Sequence, residues 1–497
     1  MIAPFLPTLI VASSFVLGCV IFALGEHRTV LRTYLNLAGA GLKVALVAWL
    51  GLGVLGGGTY ENRFPVLPGI DLVLKADALS LLLLALSAVL WLVTTIYAVG
   101  YLEGSPDRRR FFGFFSVCVS ATTGIALAGN LFTFICFYEL LTLSTYPLVA
   151  HRGTEAALRG GRIYLAYTLA GGTALLVGIV WLTTLTGPSD FAPGGFVDAH
   201  VEAHRWSLVG IFALLVGGLG VKAALVPFHG WLPVAMVAPA PVSALLHAVA
   251  VVKAGAFGLV RVVYDVFGID TVVALGLATP FAVWAAVTIV YGSLRALRED
   301  DLKRRLAYST VSQVSYIVLG IAVAGPVATI GGLVHLVHQG LMKITLFFCA
   351  GNFAETLGVH RVSQMDGVGQ RMPHTALAFT IGALGMIGVP PLAGFVSKWF
   401  LGVGALDAGQ PWVLGVLIAS GALNAGYFLP ILYRVWFAEP RGEWPDERDL
   451  GPGETHPALL APPLVTAALV VMMGFFAGAE MSPLALVRFI TRLEYAP

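Results

Sequence analysis

Apolar stretches about twenty residues long recur along this chain, each ended by a short polar connection. A membrane span needs about 20 predominantly apolar residues. Fourteen stretches meet that length: about 4–24, 35–56, 77–101, 111–129, 131–150, 161–186, 207–227, 241–261, 272–294, 305–325, 327–355, 375–402, 412–436 and 458–478. The polar connections alternate in charge. The odd-numbered ones are basic, with Arg28 and Arg32, Arg108 to Arg110, Arg152, Arg159 and Arg162, Arg295 to Arg305, Arg361 and Arg371, and Arg434, Arg441 and Arg448. The even-numbered ones are poor in Lys and Arg, and the sixth, from Asp190 to Glu202, is acidic. Cytoplasmic loops carry the excess of Lys and Arg, so both termini are expected outside the cytoplasm. An even span count agrees with that alternation. The pattern predicts an all-α polytopic membrane protein with about 14 transmembrane helices.

Two stretches are interrupted. In GGLGVKAALVPFHGWLP, from Gly217 to Pro233, Pro227 removes a backbone donor and clashes with the preceding turn, so the seventh helix should break beside Lys222. GVPPLAGFVSKWF, from Gly388 to Phe400, repeats the combination of helix breaker and lysine in the twelfth span. Paired interruptions in corresponding halves point to inverted repeats around a midplane path. The expected organisation is one membrane domain. It comprises residues 1–110 (helices 1–3), 111–261 (a first five-helix repeat, helices 4–8), 272–436 (a second, helices 9–13) and 437–497 (loop, helix 14 and tail). Residues 57–76, with glycines, Pro65, Pro68 and alternating Val-Leu, suit a small external hairpin. The tail after Glu480, with Arg488 and Arg492, suits an interfacial helix.

Composition sharpens the class. Hydrophobic residues make up 58% of the 497 and charged residues 11%, against about 25% charged in a typical soluble protein. A net charge of +2 without a basic tail gives no reason to expect nucleic acid. The four cysteines (Cys19, Cys118, Cys136, Cys349) lie in apolar segments without metal or redox spacing, and read as free buried thiols. The first segment lacks a basic n-region and an A-x-A site, so residues 4–24 read as a retained span. No phosphate loop, catalytic triad or haem-ligand pattern occurs. The expectation is a transport subunit, not an enzyme by itself, with no cofactor and no metal.

Charges inside the spans are few enough to weigh singly. Each costs about 2.5–3.5 kcal/mol on insertion scales, so an intramembrane ionisable group is a functional candidate by default. Glu139 lies mid-span in FICFYELLTLSTYPL, and Lys222 is its natural partner. Burial disfavours an ammonium and a nearby carboxylate favours it, so opening and closing such a pair would switch the lysine's affinity for a proton. The alternative is a structural ion pair. Lys253 lies mid-span in LLHAVAVVKAG, and His247 sits six residues earlier, about 9 Å along a helix axis. A histidine there suits a proton shuttle or a packed hydrogen bond. In HLVHQGLMKITLFFCAGN, His335 and His338 share a face, as do Gln339 and Lys343. HxxH alone, with no acidic or thiolate ligand nearby, makes a poor metal site. Lys398 follows the second break, either on the path or reaching water. Trp231 and His229 suit an interfacial turn. Ser309, Thr310, Ser312 and Gln313 could line a hydrated channel or bond other helices. No single span carries enough polar groups to cross the bilayer alone. The pattern therefore predicts lateral proton passage from Lys222 through Lys253 to Lys398, with His247, His335, His338 and Lys343 as supporting steps.

The segments YELLTLSTYPLV, GVKAALVPFHGWLP, ALLHAVAVVKAG, DLKRRLAYSTVSQVSY, HLVHQGLMKITLFFCAG and GVPPLAGFVSKW together resemble the antiporter-like family. That family includes the A-type and D-type members of Mrp cation/proton antiporters and the proton-pumping membrane subunits of respiratory complex I and membrane-bound hydrogenases. The resemblance covers roughly residues 70–435. It implies fourteen helices with inverted repeats. It also places Glu139 at the fifth-helix carboxylate, Lys222 on the broken seventh helix, Lys253 at the central lysine and Lys398 at the terminal residue of the broken twelfth helix. Lysine at 398 disfavours the M type of complex I, which has glutamate there. The chain lacks the long lateral helix of the L type and the extension of the Mrp A type. Of the Mrp D type and the complex I N type that remain, the histidine-rich eleventh segment and the length favour D. The implied partners are other membrane subunits, the lipid bilayer, protons, and Na+ as the candidate exchanged cation. The implied location is a bacterial inner membrane.

Overall fold

The computed structural model describes residues 3–440, 442–450 and 453–495. The first helices are α1 (Leu6–Ala23) and α2 (Thr29–Leu55). An antiparallel hairpin follows, β1 (Tyr60–Leu67) and β2 (Ile70–Ala76), turning at Gly69 with φ 76°. Residues 57–76 thus form the expected hairpin, the one departure from an all-helical architecture among the described residues. Next come α3 (Ala78–Tyr101), α4 (Arg108–Ala126), α5 (Leu131–Val149), α6 (Glu155–Thr186) and α7 (Val201–Lys222). A short α8 (Trp231–Val234) leads into α9 (Ala240–Phe267), which contains two π turns, Leu245–Val249 and Val262–Phe267. Then follow a short α10 (Ile269–Ala274), α11 (Ala278–Arg298), α12 (Leu302–Ala322) and α13 (Pro326–Leu357). The last set is α14 (Val368–Arg371), α15 (Pro373–Ile387), α16 (Ala393–Asp407), α17 (Trp412–Phe437), α18 (Pro457–Phe475) and α19 (Pro483–Glu494).

Among the described residues, eleven helices are long and apolar enough to cross a membrane. Three further crossings complete the fourteen. Two of them, α4 and α12, open on arginines and carry many hydroxyl side chains, which lowers their hydropathy. The third is the broken pair α15 and α16, each half too short to span alone. Helix ends follow polar caps more closely than apolar length. The side chains of Asp77, Asn130, Thr154 and Asp301 each accept a backbone N–H in the first turn of α3, α5, α6 and α12. Thr154 lets α6 begin at Glu155, ahead of the apolar run that starts near 161.

Both expected breaks are present. The first lies between α7 and α8, where Ala224 adopts φ 56°. The second follows α15, where Gly388 adopts φ 96°. They fall in crossings seven and twelve. An offset of five is odd, so the two broken helices run in opposite directions through the membrane, as inverted repeats require. The most apolar windows of α9 and α13 are buried throughout, whereas most of α1, α2 and α18 faces outward. The two central helices are also the ones that carry His247, Lys253, His335, His338, Gln339 and Lys343.

Candidate functional site

The first break leaves backbone groups that lipid could not satisfy. Protein satisfies them here. The Trp231 indole donates to the Val221 carbonyl at 2.7 Å, the Val226 N–H donates to Thr288, and the Trp284 indole donates to the Val226 carbonyl. Trp231 is therefore fully buried and holds the break together, which corrects its reading as an interfacial anchor. Lys222, the last residue of α7, is fully buried. Its ammonium donates to the Tyr138 carbonyl of α5 and lies 3.3 Å from the centroid of the Tyr138 ring. Glu139 is the next residue along α5. Its carboxylate fills the recess that Gly172 leaves in α6. Neither carboxylate oxygen accepts a hydrogen bond. No salt bridge joins Glu139 to Lys222 within 4.0 Å among the described residues. The pair expected to open and close stands open in this structure. The carbonyl and ring of Tyr138 take the ammonium, and the recess at Gly172 takes the carboxylate.

Helix α9 packs against the break at Gly255, where a side chain would collide with the backbone of Lys222 and Ala223. That close approach sets Lys253, fully buried two residues earlier, beside α13. Lys253 donates to the Leu336 carbonyl at 2.7 Å and to Gln339 Oε1. His247 lies within the first π turn, and such turns gather at functional sites. Its ring stacks on Phe347 at 4.4 Å, and neither ring nitrogen has a protein partner.

On α13 the polar residues diverge. Lys343 donates to Ser309 and to the Leu306 carbonyl (3.1 Å) of α12. His335 shares a 2.8 Å hydrogen bond with Ser397 of α16, and its ring lies 5.2 Å from that of Tyr316. Lys398 follows on α16 and donates to the Met386 and Ile387 carbonyls at 2.8 Å each. Those carbonyls lie in the last turn of α15, where the helix dipole favours a cation, and that of Met386 also accepts from the Asn424 amide at 3.2 Å. The ammonium also lies 5.4 Å from the Tyr316 ring. His338 Nδ1, His335 Nε2, the Tyr316 hydroxyl, both amide atoms of Gln313 and Gln339 Nε2 are buried without a protein partner. Gln339 and Lys343 thus contact different neighbours although they share a face, and His338 joins no hydrogen bond to the row.

Lys222, Lys253, Lys343 and Lys398 have one arrangement in common. Each ammonium is held by a main-chain carbonyl, and none has a carboxylate within 4.0 Å among the described residues. Carbonyl dipoles solvate a cation without locking a proton in place as a fixed anion would.

Two buried charge sites were not anticipated. Lys43 of α2 is buried, with the hydroxyls of Ser14 (2.6 Å) and Thr123 (2.9 Å) as its acceptors and the Trp91 ring 5.2 Å away. A lysine inside the predicted second span was the available signal. Arg261 binds Asp77 through both terminal nitrogens (2.8 and 2.9 Å), Asp265 at 2.9 Å and Ser80 at 3.1 Å. The four-residue spacing of Arg261 and Asp265 near the end of the eighth span was legible; the reach to Asp77 was not.

Residues 128–423 match the profile of the family described as "NADH:quinone oxidoreductase/Mrp antiporter, TM". NADH-quinone oxidoreductase subunit N of Desulforudis audaxviator is 37% identical over 433 residues, covering 84% of each chain. A probable K(+)/H(+) antiporter component of the A/B type from Rhizobium meliloti is 31% identical over 432 residues, covering 84% of this chain and 42% of the longer relative. A chain of the Mrp complex from Dietzia sp. superposes with a TM-score of 0.86 at 24% identity, covering 100% of this chain and 98% of that one, and so shows the same fold.

Proposed function

The chain belongs to the NADH:quinone oxidoreductase/Mrp antiporter transmembrane family, and from that membership we propose that it is the proton-translocating membrane subunit of a multisubunit monovalent cation (Na+)/H+ antiporter. The observation that carries the reading is the row of four lysines on carbonyl oxygens, one on each of crossings seven, eight, eleven and twelve, with Lys222, Lys253 and Lys343 buried and Lys398 half-buried. Protons pass laterally along that row, from Lys222 to Lys253 and on to Lys398, with Lys343 beside the route. Direct transfer needs about 3 Å between heavy atoms. The partnerless buried atoms of His247, Gln313, Tyr316, His335, His338 and Gln339 supply binding points for the bridging waters. Glu139 is the exchange end. Its carboxylate, parted from Lys222, is open to a proton or a monovalent cation, and closing onto Lys222 returns it to an ion pair. The division into helices 1–3, two inverted five-helix repeats and a fourteenth helix frames the path, which runs through the two broken helices. The charge alternation supports both termini outside the cytoplasm, and the bacterial relatives and the multisubunit complexes the chain resembles support an inner-membrane setting among other membrane subunits.

A second reading has its own support. The 37% identity to an N-type subunit over most of both chains favours an N-type pumping subunit of a quinone-reducing complex. One experiment separates the two. The assembled complex is purified from its native membrane and reconstituted in proteoliposomes. The antiporter reading predicts proton movement driven by a Na+ gradient alone. Proton movement that requires a quinone reductant and ignores Na+ would overturn it in favour of the pump.

A further inference from the structure

The seam between α5 and α6 opens into a cavity of about 530 Å³ on the face that carries the hairpin. Its mouth is charged. Arg63 of β1 pairs with Asp71 of β2 at 3.1 Å and with Asp190 after α6, and the Asn130 amide bridges to Asp190 at 3.3 Å. Asp71 and Asp190 are each about a third exposed, at 30% and 38%. The charged side chains lining the mouth are two carboxylates and one cation, and Glu61 of β1 also pairs with Arg63 at 3.0 Å, so carboxylates are in excess.

Below the mouth the lining turns apolar, with Leu131 and Ile135 on one side and Leu176, Ile179 and Val180 on the other. The hydroxyls of Thr183 and Thr186 turn back onto carbonyls of their own helix. From Thr186 to Leu176 the groove descends about 15 Å at 1.5 Å per residue. That is about half of a 30 Å hydrocarbon core, the depth of one leaflet. Leu176 and Val180 are 47% and 55% exposed, so the groove opens sideways toward lipid. Its buried end is close to the candidate site. Glu139 lies one turn beyond Ile135 on α5, and Gly172, against which the Glu139 carboxylate rests, lies one turn beyond Leu176 on α6.

We propose that this groove binds one glycerophospholipid with a zwitterionic, primary-ammonium headgroup. The ammonium sits between Asp71 and Asp190, the phosphate against Arg63, and one acyl chain along α5 and α6 down to the Glu139 turn. Charge complementarity selects this occupant. A zwitterion matches a mouth containing both signs with carboxylates in excess, whereas an anionic headgroup meets repulsion. An acyl chain is also the partner that an apolar, laterally open groove can accept without stranding a polar group. A chain so placed keeps water on the hairpin side away from Glu139. The binding itself does not depend on which transport reaction the protein performs.

The test is lipid retention by the full-length protein within its purified complex. The complex is exchanged into micelles holding equal phosphatidylethanolamine and phosphatidylglycerol, and bound lipids are counted by native mass spectrometry. The expected result is one tightly held phosphatidylethanolamine per copy, preferred at least tenfold. Asp71→Asn with Asp190→Asn should erase the preference. Val180→Trp, at an exposed position on the groove wall, should lose the lipid. Equal retention of the two lipids by the unmodified protein would overturn the headgroup assignment. A phosphatidylethanolamine that survives Val180→Trp undiminished would overturn the site, as would a groove that retains none because a neighbouring subunit fills it.

Discussion

Asp77→Asn isolates the worth of a buried ion pair that ties two distant helices together. Asp77 caps α3, accepting the Ser80 N–H at 2.7 Å, and receives two hydrogen bonds from Arg261 near the C-terminal end of α9. Asparagine keeps the cap, since the two residues cap about equally well. It removes the charge. Breaking a fully buried pair costs about 3–5 kcal/mol. The Arg261 side chain is 2% exposed but that of Asp77 is 35%, and Asp265 still holds Arg261. Solvent and the second carboxylate should therefore reduce the loss to about 2 kcal/mol. Asp77→Ala should cost about 1 kcal/mol more, for the cap. The assay is reversible unfolding in mixed micelles followed by tryptophan fluorescence. Its pH dependence has a definite sign. Burial opposes the Asp77 charge, but Arg261 and the Ser80 hydrogen bonds outweigh it and hold the pKa below the ordinary 3.8. The contribution is then fully present above the unfolded pKa, near 3.9, and fades as pH falls through the lower folded value. The advantage of the unmodified protein over Asp77→Asn should shrink only in that acid window. If Asp77→Asn unfolds with the unmodified protein at neutral pH, and only Asp77→Ala is weaker, the pair contributes nothing and the reasoning fails.

Three further outcomes follow from the site. Glu139→Gln should abolish most transport while leaving assembly and thermal stability unchanged or improved, because no hydrogen bond is lost; full transport in a normally assembled variant would rule out an exchange role. Gln339→Leu removes the side-chain acceptor of Lys253 and leaves the Leu336 carbonyl. A hydrogen bond to a charged group is worth about 1.5–3 kcal/mol, so proton flux should fall roughly tenfold or more in reconstituted vesicles. Lys43→Met should leave flux unchanged and stability neutral or raised, since hydroxyls and an indole face are all that hold this charge; a flux loss matching that of Lys253→Ala would place Lys43 on the path.

Much of the architecture was legible because lipid imposes a simple rule on span length and loop charge. The fourteen crossings, the hairpin and both breaks follow from apolar runs, prolines and glycines. Helix starts were less legible. Thr154 begins α6 well before its apolar run, since a cap sets where a helix starts and hydropathy sets where lipid begins. Candidate residues could be named from the sequence, but their contacts could not. Glu139 and Lys222 could be named as partners, but not the open state in which the main-chain carbonyl of Tyr138 accepts the ammonium, because a backbone acceptor leaves no mark in residue identities. Trp231 misled for a related reason: its polar edge was needed by the Val221 carbonyl at the break, a demand that only the folded backbone creates. Asp77 drew no notice in the sequence, because the 184-residue separation from Arg261 hides their contact.

The central claim is the lateral relay from Lys222 through Lys253 to Lys398. The most direct measurement is proton flux across the full pH range in proteoliposomes of the assembled complex, comparing the unmodified protein with Lys253→Ala and Lys398→Ala at matched incorporation. The account predicts that each substitution stops flux while the complex stays intact, because each removes a step that no neighbouring group replaces. Wild-type flux in both variants at every pH would contradict the relay and make these lysines structural.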